Sequence, residues 1–207
     1  MKVYALWHKE NGYEYRWRTL LQFGTSWDII GSVYMKNPGS ASPSLASLDA
    51  KTLTELQKFS KSTEWKIFTP DNTMKCIEKL FNASHIAPLQ GIIQVFNLFN
   101  LKDANFASAL KNFKSGHCNS KYLQSFNEDV RNLVHPVYLG WKDLWEDSAF
   151  NDNCKKIFDE AKKLAGAHGK KWYLADTLED KSNHFWHPAC RDPKKMEDEK
   201  NAFLAMI

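Results

Sequence analysis

The chain has 207 residues, of which 43% are hydrophobic and 14% aromatic, and its formal net charge is +4. This length and composition fit one globular domain with a substantial core and exclude a disordered or fibrous chain. The charge favours contact with a polyanion only modestly. The N-terminal stretch MKVYALWHKE reaches charge too early for a signal peptide, and no apolar run is long enough to span a bilayer, so we expect a cytoplasmic protein without membrane contact.

The first 27 residues contain two strand-like segments, VYALW and YEYRWRTLLQF, which indicate edge strands or a hairpin with no defined place in the sheet. Four later apolar runs are short, rich in β-branched and aromatic residues and mostly continuous, which is typical of strands buried on both faces. These runs are DIIGSVYM (28–35), GIIQVFNLF (91–99), HPVYLGW (135–141) and KKWYLA (170–175).

Between and after these runs the apolar residues recur at helical spacing. The segments with this pattern are 49–62, 69–84, 103–113, 120–133 and 152–169, and residues 194–207 are predicted to form a short closing helix. Alternation of buried strands with amphipathic helices favours an α/β fold, because parallel neighbours need crossover connections. We therefore predict a single domain over residues 1–207, a three-layer sandwich with a mainly parallel central sheet flanked by helices.

Neither a metal nor another cofactor is predicted. The four cysteines lie far apart and form no Cys-x-x-Cys pair, which favours reduced thiols over an iron-sulfur cluster or structural zinc. They are Cys76, Cys118, Cys154 and Cys190. His184, His187 and Cys190 recur at three-residue spacing, but Pro188 interrupts any helix that would align them.

Polar residues follow the predicted strands, where ligands of open α/β sheets gather. Asn37 precedes Pro38-Gly39, which suits either a tight turn or a loop whose glycine and small residues, Ser40 among them, let a ligand approach the backbone. Asn97 ends an apolar strand. Its side-chain amide is either hydrogen-bonded within the core or forms hydrogen bonds with the edge of a base. His187 is either an ordinary loop residue or a donor to developing negative charge.

Taken in order, MKNPGSA, VFNLFN, VYLGW and FWHPAC resemble the motifs of the uracil-DNA glycosylase superfamily, over roughly residues 28–192. The Asn-Pro-Gly loop is similar to that of the thymine and mismatch-specific branch. The chain also resembles an uncharacterised bacterial family with an Asn-Pro-Ser loop and an aromatic, Arg-rich hairpin. The resemblance implies the same fold and a DNA glycosylase that hydrolyses the N-glycosidic bond of a flipped nucleotide.

The sequence departs from the superfamily pattern in four places. Met35-Lys36 replaces the glycine that opens the first loop, and Ala189 replaces the serine of the closing His-Pro-Ser motif. Gly140 and Trp141 stand in inverted order in the third strand. No Asp or Glu lies inside KNPGSAS to act as a strong base. These departures weaken the inference of activity more than the inference of fold.

The resemblance implies a role for each matching residue. Asn37 orients the attacking water, Asn97 reads the base, and His187 stabilises charge on the departing base. Trp141 or Trp186 is the expected stacking partner. The expected phosphate contacts are Lys36, Arg191, Lys194 and Lys195.

Two other functions fit the same sequence. The first is a protein of this fold that binds a nucleotide or nucleic acid without hydrolysing it. The second is a protein interaction domain, which would require the aromatic residues to form an exposed patch. DNA or a nucleotide is therefore the expected partner of a glycosylase and of a binding protein, but not of an interaction domain.

Overall fold

The structure of the chain is a computed structural model that describes residues 1–83, 88–190 and 192–207, with residues 193, 195 and 196 described only as parts of a helix. Six strands form one sheet in the order β4-β1-β2-β5-β3-β6. They are β1 (Lys2–Glu10), β2 (Tyr13–Phe23), β3 (Ile29–Met35), β4 (Trp65–Phe68), β5 (Gly91–Asn97) and β6 (Val137–Gly140). Within the described ranges, no helix is long and apolar enough to cross a bilayer.

The N-terminal segments form the predicted hairpin. β1 pairs antiparallel with β2 through a tight turn at Asn11 and Gly12, both of which have positive φ, as a two-residue hairpin turn requires. The alternative prediction, edge strands, is wrong, because β1 and β2 lie inside the sheet and β4 and β6 form its edges. The hairpin therefore lies against the core strands.

The sheet is mixed, and the predicted parallel arrangement holds for only part of it. β3 pairs parallel with both β5 and β6. The pairs β1 with β2, β1 with β4, and β2 with β5 are antiparallel. The short connection from β2 to β3 reverses the chain, and because β3 runs parallel to β5, β2 meets β5 in the opposite direction. The parallel unit comprises β5, β3 and β6.

The run at 170–175 is not a strand, contrary to prediction. Its aromatic side chains pack into the core, and Trp172 lies edge-on to Phe158. The N–H of Leu139 in the edge strand β6 donates to the hydroxyl oxygen of Tyr173 at 2.9 Å. The segment is thus joined to the sheet by side chains rather than by a β ladder.

Helices form in all the segments where they were predicted, although the one in 120–133 has only six residues. They are α1 (Ala50–Phe59), α2 (Asn72–Asn82), α3 (Phe106–Ser115), α4 (Phe126–Arg131), α5 (Asn151–Ala167) and α6 (Pro193–Met206). The side chains of Asp49, Asp71 and Asn105 accept hydrogen bonds from backbone N–H groups of the first turn and fix the starts of α1, α2 and α3.

Helices cover both faces of the sheet. Leu20 and Ile92 pack with Leu56 of α1, in one hydrophobic cluster. Their neighbours Leu21 and Ile93 belong to the larger cluster that includes the buried face of α2. Because successive strand residues point to opposite faces, α1 and α2 lie on opposite sides of the sheet. The layered α/β architecture is therefore observed, and all four cysteines are free thiols.

Candidate functional site

A cavity of about 390 Å³ lies at the carboxyl ends of β3 and β5, on the side of the sheet that α2 covers. Its size is within the range of small-molecule sites. Six residues predicted from the sequence line it together: Lys36, Asn37, Gly39, Ser40, Asn97 and His187. They come from the loop after β3, the last residue of β5 and the loop that contains His187. The first two meet because parallel strands end at the same edge, and the third packs on the end of β6.

Asn37 serves as a turn residue and also faces the cavity. Its amide nitrogen lies 3.0 Å from the carbonyl oxygen of Pro38, 3.2 Å from that of Asp103 and 3.4 Å from that of Leu101. These acceptors identify the nitrogen end of the amide and tie the loop to the segment that follows β5. The Oδ1 atom accepts no hydrogen bond from the residues that the structure describes, and it is available to a ligand.

Asn97 is the last residue of β5, where it pairs in register with Met35 of β3. The residue is only 4% exposed. Its side-chain amide makes no hydrogen bond within the described part of the chain, although buried amides normally have partners. Asn97 is therefore not the hydrogen-bonded core amide that was one of its two sequence interpretations. Its donor and its acceptor are both left for a molecule in the cavity.

His187 is a neutral imidazole in this environment. Burial, together with the positive charge of Lys36, lowers its pKa to about 4, and Asp71 opposes the shift. The Nδ1 atom accepts a hydrogen bond from the N–H of Ala189 at 3.2 Å. That bond assigns the proton of the neutral ring to Nε2. His187 is thus a hydrogen-bond donor that carries no charge at neutral pH.

The loop that carries His187 is fixed to the end of β6. A side chain at Gly140 would lie 2.8 Å from the sulfur of Met35 and 3.1 Å from Cδ of Pro188. The missing side chain of Gly140 therefore lets Pro188 pack directly on the strand. The hydroxyl of Tyr138 donates to the carbonyl of Trp186 at 2.7 Å. These contacts hold the histidine over the cavity.

Comparison with known proteins gave no match. No protein-family model, curated protein sequence or solved structure corresponds to this chain. The chemistry of the site must therefore be inferred from its own residues.

The predicted stacking tryptophans do not line this cavity. Trp141 is fully buried and packs against Tyr34 and Phe185, so its assignment as a stacking residue is wrong. Trp186 lines a different cavity, of about 560 Å³, together with His184. The aromatic ring at the candidate site belongs to Phe106, at the start of α3.

The predicted phosphate contacts do not all lie at the candidate cavity. Lys36 lines the candidate cavity, and its ammonium lies 4.6 Å from the centre of the Phe106 ring and 3.7 Å from a carboxylate oxygen of Asp143. Burial lowers the pKa of Lys36. Lys194 is exposed and lines the other cavity. Arg191 and the side chain of Lys195 lie outside the described residues.

Sequence reasoning missed three charged residues of the cavity, Arg16, Asp71 and Asp103. Arg16 reaches it from β2, and Asp71 reaches it from the start of α2. An Nη2 atom of Arg16 lies 4.0 Å from Oδ2 of Asp71, and Nη1 donates to the carbonyl of Ala41 at 3.3 Å. Burial lowers the pKa of Arg16 to about 10, partly offset by Asp71. The sequence indicates Asp71 only as a helix start signal.

Within the described residues, no group of three or more His, Cys, Asp or Glu side chains is arranged to hold a metal ion. His184 and His187 face different cavities, so the HFWHPAC motif does not form one site. The candidate cavity instead combines three amides, a neutral imidazole, an aromatic ring, two cations and two carboxylates.

Proposed function

We propose that the cavity receives a nucleobase flipped out of DNA and that the protein hydrolyses its N-glycosidic bond, as a uracil-DNA glycosylase-like domain. The observation that carries this proposal is the meeting of Asn37, Asn97 and His187 in one cavity. The order of the sequence motifs adds support, since they follow the three strands of the parallel unit and the final loop. A flipped base needs its edge read by hydrogen bonds and its face covered by an aromatic or apolar group.

Base recognition is assigned to Asn97 and Phe106. The amide of Asn97 presents one donor and one acceptor, and it complements a base edge that carries an acceptor next to an N–H. Leaving a buried amide without a partner costs free energy, so a ligand that satisfies both groups is favoured over one that does not. Phe106 supplies a ring against which a base can pack.

His187 is assigned to the departing base. As the bond between the sugar carbon and the base nitrogen breaks, the electron pair moves onto the base and negative charge grows on its oxygen. The Nε2–H of a neutral imidazole can donate to that oxygen. Because its pKa is about 4, His187 stays in the neutral form throughout the neutral pH range. The stabilisation is therefore a preformed hydrogen bond rather than a proton transfer.

Asn37 is assigned to the attacking water. Its amide nitrogen is held by three backbone carbonyls, so its oxygen is the end that can accept a hydrogen bond from water. An amide oxygen positions water but does not remove its proton. Positioning alone supplies a substantial part of a barrier when the reacting atoms are well aligned.

The proposal is tested with purified protein on duplex and single-stranded oligonucleotides that carry uracil, thymine in mismatches, or common damaged bases. We expect base release from at least one substrate, and a large loss of rate in Asn97→Ala and His187→Ala. His184→Ala is the matched control, because this histidine lies on the same loop but faces the other cavity. Absence of product from every substrate, or an unchanged rate in His187→Ala, would refute the proposal.

A second function is favoured by one specific observation. Two cations, Arg16 and Lys36, line the cavity together with two carboxylates, Asp71 and Asp103; a nucleotide suits this mixed charge, because its phosphate pairs with cations and its sugar hydroxyls donate to carboxylates. A protein that binds a nucleotide without hydrolysing it would melt at a higher temperature in the presence of that nucleotide. A thermal-shift panel of nucleotides tests this function, and the absence of any shift would exclude it.

A further inference from the structure

We infer that Asp71 supplies the carboxylate that the Asn37 loop lacks, and that it takes the proton of the water that attacks the sugar. This inference rests on the proposed function. The general base then comes from the start of α2 rather than from the Asn37 loop itself. The fold places the start of α2 beside this loop.

The two oxygens of Asp71 have different environments. Oδ1 accepts a hydrogen bond from the N–H of Met74 at 3.0 Å and caps α2. Oδ2 accepts no hydrogen bond from the described residues, and its distance of 4.0 Å from Arg16 Nη2 is too long for one. The side chain is 12% exposed and lines the cavity. The helix therefore holds one oxygen in place and leaves the other for a ligand.

Gly39 keeps the space in front of this oxygen open. A Cβ atom at position 39 would lie 3.3 Å from Asp71 Oδ2, and it would meet no other heavy atom within 4 Å. The backbone of Gly39 is not in the left-handed region, so its conformation does not demand glycine. The glycine of Asn-Pro-Gly is explained by access to Asp71, and it faces the carboxylate from the loop that carries Asn37.

The charge of Asp71 reaches the reacting centre. Across the cavity, it raises the pKa of His187, whereas burial and the charge of Lys36 lower that pKa. Within the described residues, the other carboxylate that lines the cavity is Asp103. Asp103 accepts the N–H of Asn105 at 2.8 Å in an exposed turn. A charge is more effective when it is shielded from water, which favours Asp71 over Asp103 as the base.

Atoms and charge are conserved in the proposed step. The water held by Asn37 gives a proton to Oδ2 of Asp71, and its oxygen forms a bond to the sugar carbon. The bond from that carbon to the base nitrogen breaks, and its electron pair leaves with the base, whose negative charge meets the N–H of His187. Before the water adds, the negative carboxylate also stabilises positive charge that develops on the sugar.

The test compares Asp71→Asn with Asp49→Asn in single-turnover cleavage of the substrate found in the oligonucleotide assay. Asp49 caps α1 as Asp71 caps α2, but it is exposed and does not line the cavity. Asparagine is as good an N-cap as aspartate, so α2 should keep its start. The lost charge beside Arg16 should lower the melting temperature, so rates are measured well below the melting temperature of each variant. We expect the rate of Asp71→Asn to fall by about 10²- to 10⁴-fold, the usual contribution of a general base, and that of Asp49→Asn to stay within a few-fold of wild type. Asp71→Glu should recover part of the rate.

A second readout separates a base from a structural residue. In Asp71→Asn the oligonucleotide concentration that half-saturates the single-turnover rate should stay at the wild-type value, so that the loss falls on the maximal rate alone, while Arg16, Lys36, His187 and Asp103 are left in place. A wild-type protein that cleaves nothing overturns the function and this role together. Cleavage that survives Asp71→Asn at the wild-type rate, or that falls equally in Asp49→Asn, overturns this role alone.

Discussion

Removing the ionisable group of Glu199 should stabilise the protein at alkaline pH. Glu199 lies on α6, is 8% exposed, and its Oε2 accepts the N–H of Trp186 at 3.2 Å, next to His187. Its Oε1 is buried and has no hydrogen-bond partner among the described residues. Burial raises the pKa of Glu199 to about 7, against the hydrogen bond from the N–H of Trp186, which lowers it. The change to test is Glu199→Gln.

Proton linkage sets the direction in which the free energy of unfolding changes with pH. A carboxyl whose pKa is higher in the folded state binds its proton more tightly there, so it contributes stability below the ordinary pKa of 4.5. That contribution is lost as pH rises through about 7. The difference between the two pKa values corresponds to about 3 kcal/mol, at roughly 1.4 kcal/mol for each tenfold change in affinity. The glutamine side chain of the variant does not titrate and would avoid this loss.

Urea denaturation of both proteins at pH 5 and pH 8 measures the effect. We expect Glu199→Gln to be more stable by about 1 kcal/mol or less at pH 5 and by up to about 3 kcal/mol at pH 8, or about 6 to 12 °C in melting temperature at pH 8. Burial also raises the pKa of Asp129 to about 7, but this residue contributes equally to both proteins and cancels in the comparison.

The matched control is Glu197→Gln, an exposed position on the same helix, which should change stability little at either pH. If the advantage of Glu199→Gln were the same at pH 5 and pH 8, the carboxyl would not titrate as its burial implies. The reasoning would also fail if Glu197→Gln reproduced the pH dependence.

Three further predictions concern the cavity and the core. Gly39→Ala should slow base release while the melting temperature stays close to that of wild type, because the added methyl group contacts Asp71 Oδ2 and not the backbone; equal rates in a cleavage assay would contradict this. Trp141→Ala should lower the free energy of unfolding by about 3 to 5 kcal/mol, the usual cost of removing a fully buried aromatic side chain, as measured in urea. The ring of His187 should show no titration between about pH 5.5 and 8 by NMR, because its pKa is about 4, and a midpoint near the ordinary value of 6.5 would show that the ring is not buried.

The sequence predicted a layered α/β fold and the parallel strands β3, β5 and β6, but not the mixed sheet to which they belong. Continuous apolar runs identified β3, β5 and β6, and the carboxyl ends of parallel neighbours necessarily share an edge. Asn37 and Asn97 therefore had to lie close together once their strands were neighbours. Their meeting with His187 followed from the position of the last loop beside β6.

The remaining features depend on packing between distant segments. The pattern of residues 170–175 resembles a strand because aromatic side chains that pack from a loop are apolar in the same way as those of a strand. The strand β4 has only four residues, too few for the alternation of apolar and polar residues to be recognised in the sequence. Asp71 was visible as a cap, but nothing local shows that α2 begins beside the Asn37 loop. Arg16 was hidden for a similar reason, because the hairpin had no assigned neighbour.

The central position of the N-terminal hairpin has a consequence for biosynthesis. Arg16 belongs to a strand that is made before most of this sheet, whereas His187 belongs to a loop that is made after its strand β6, and both line the same cavity. During translation, β2 can pair with β1 at once, but its other edge must wait for β5. The cavity has no complete wall until the last loop has been made and has packed on β6, so an incomplete chain would carry no finished site.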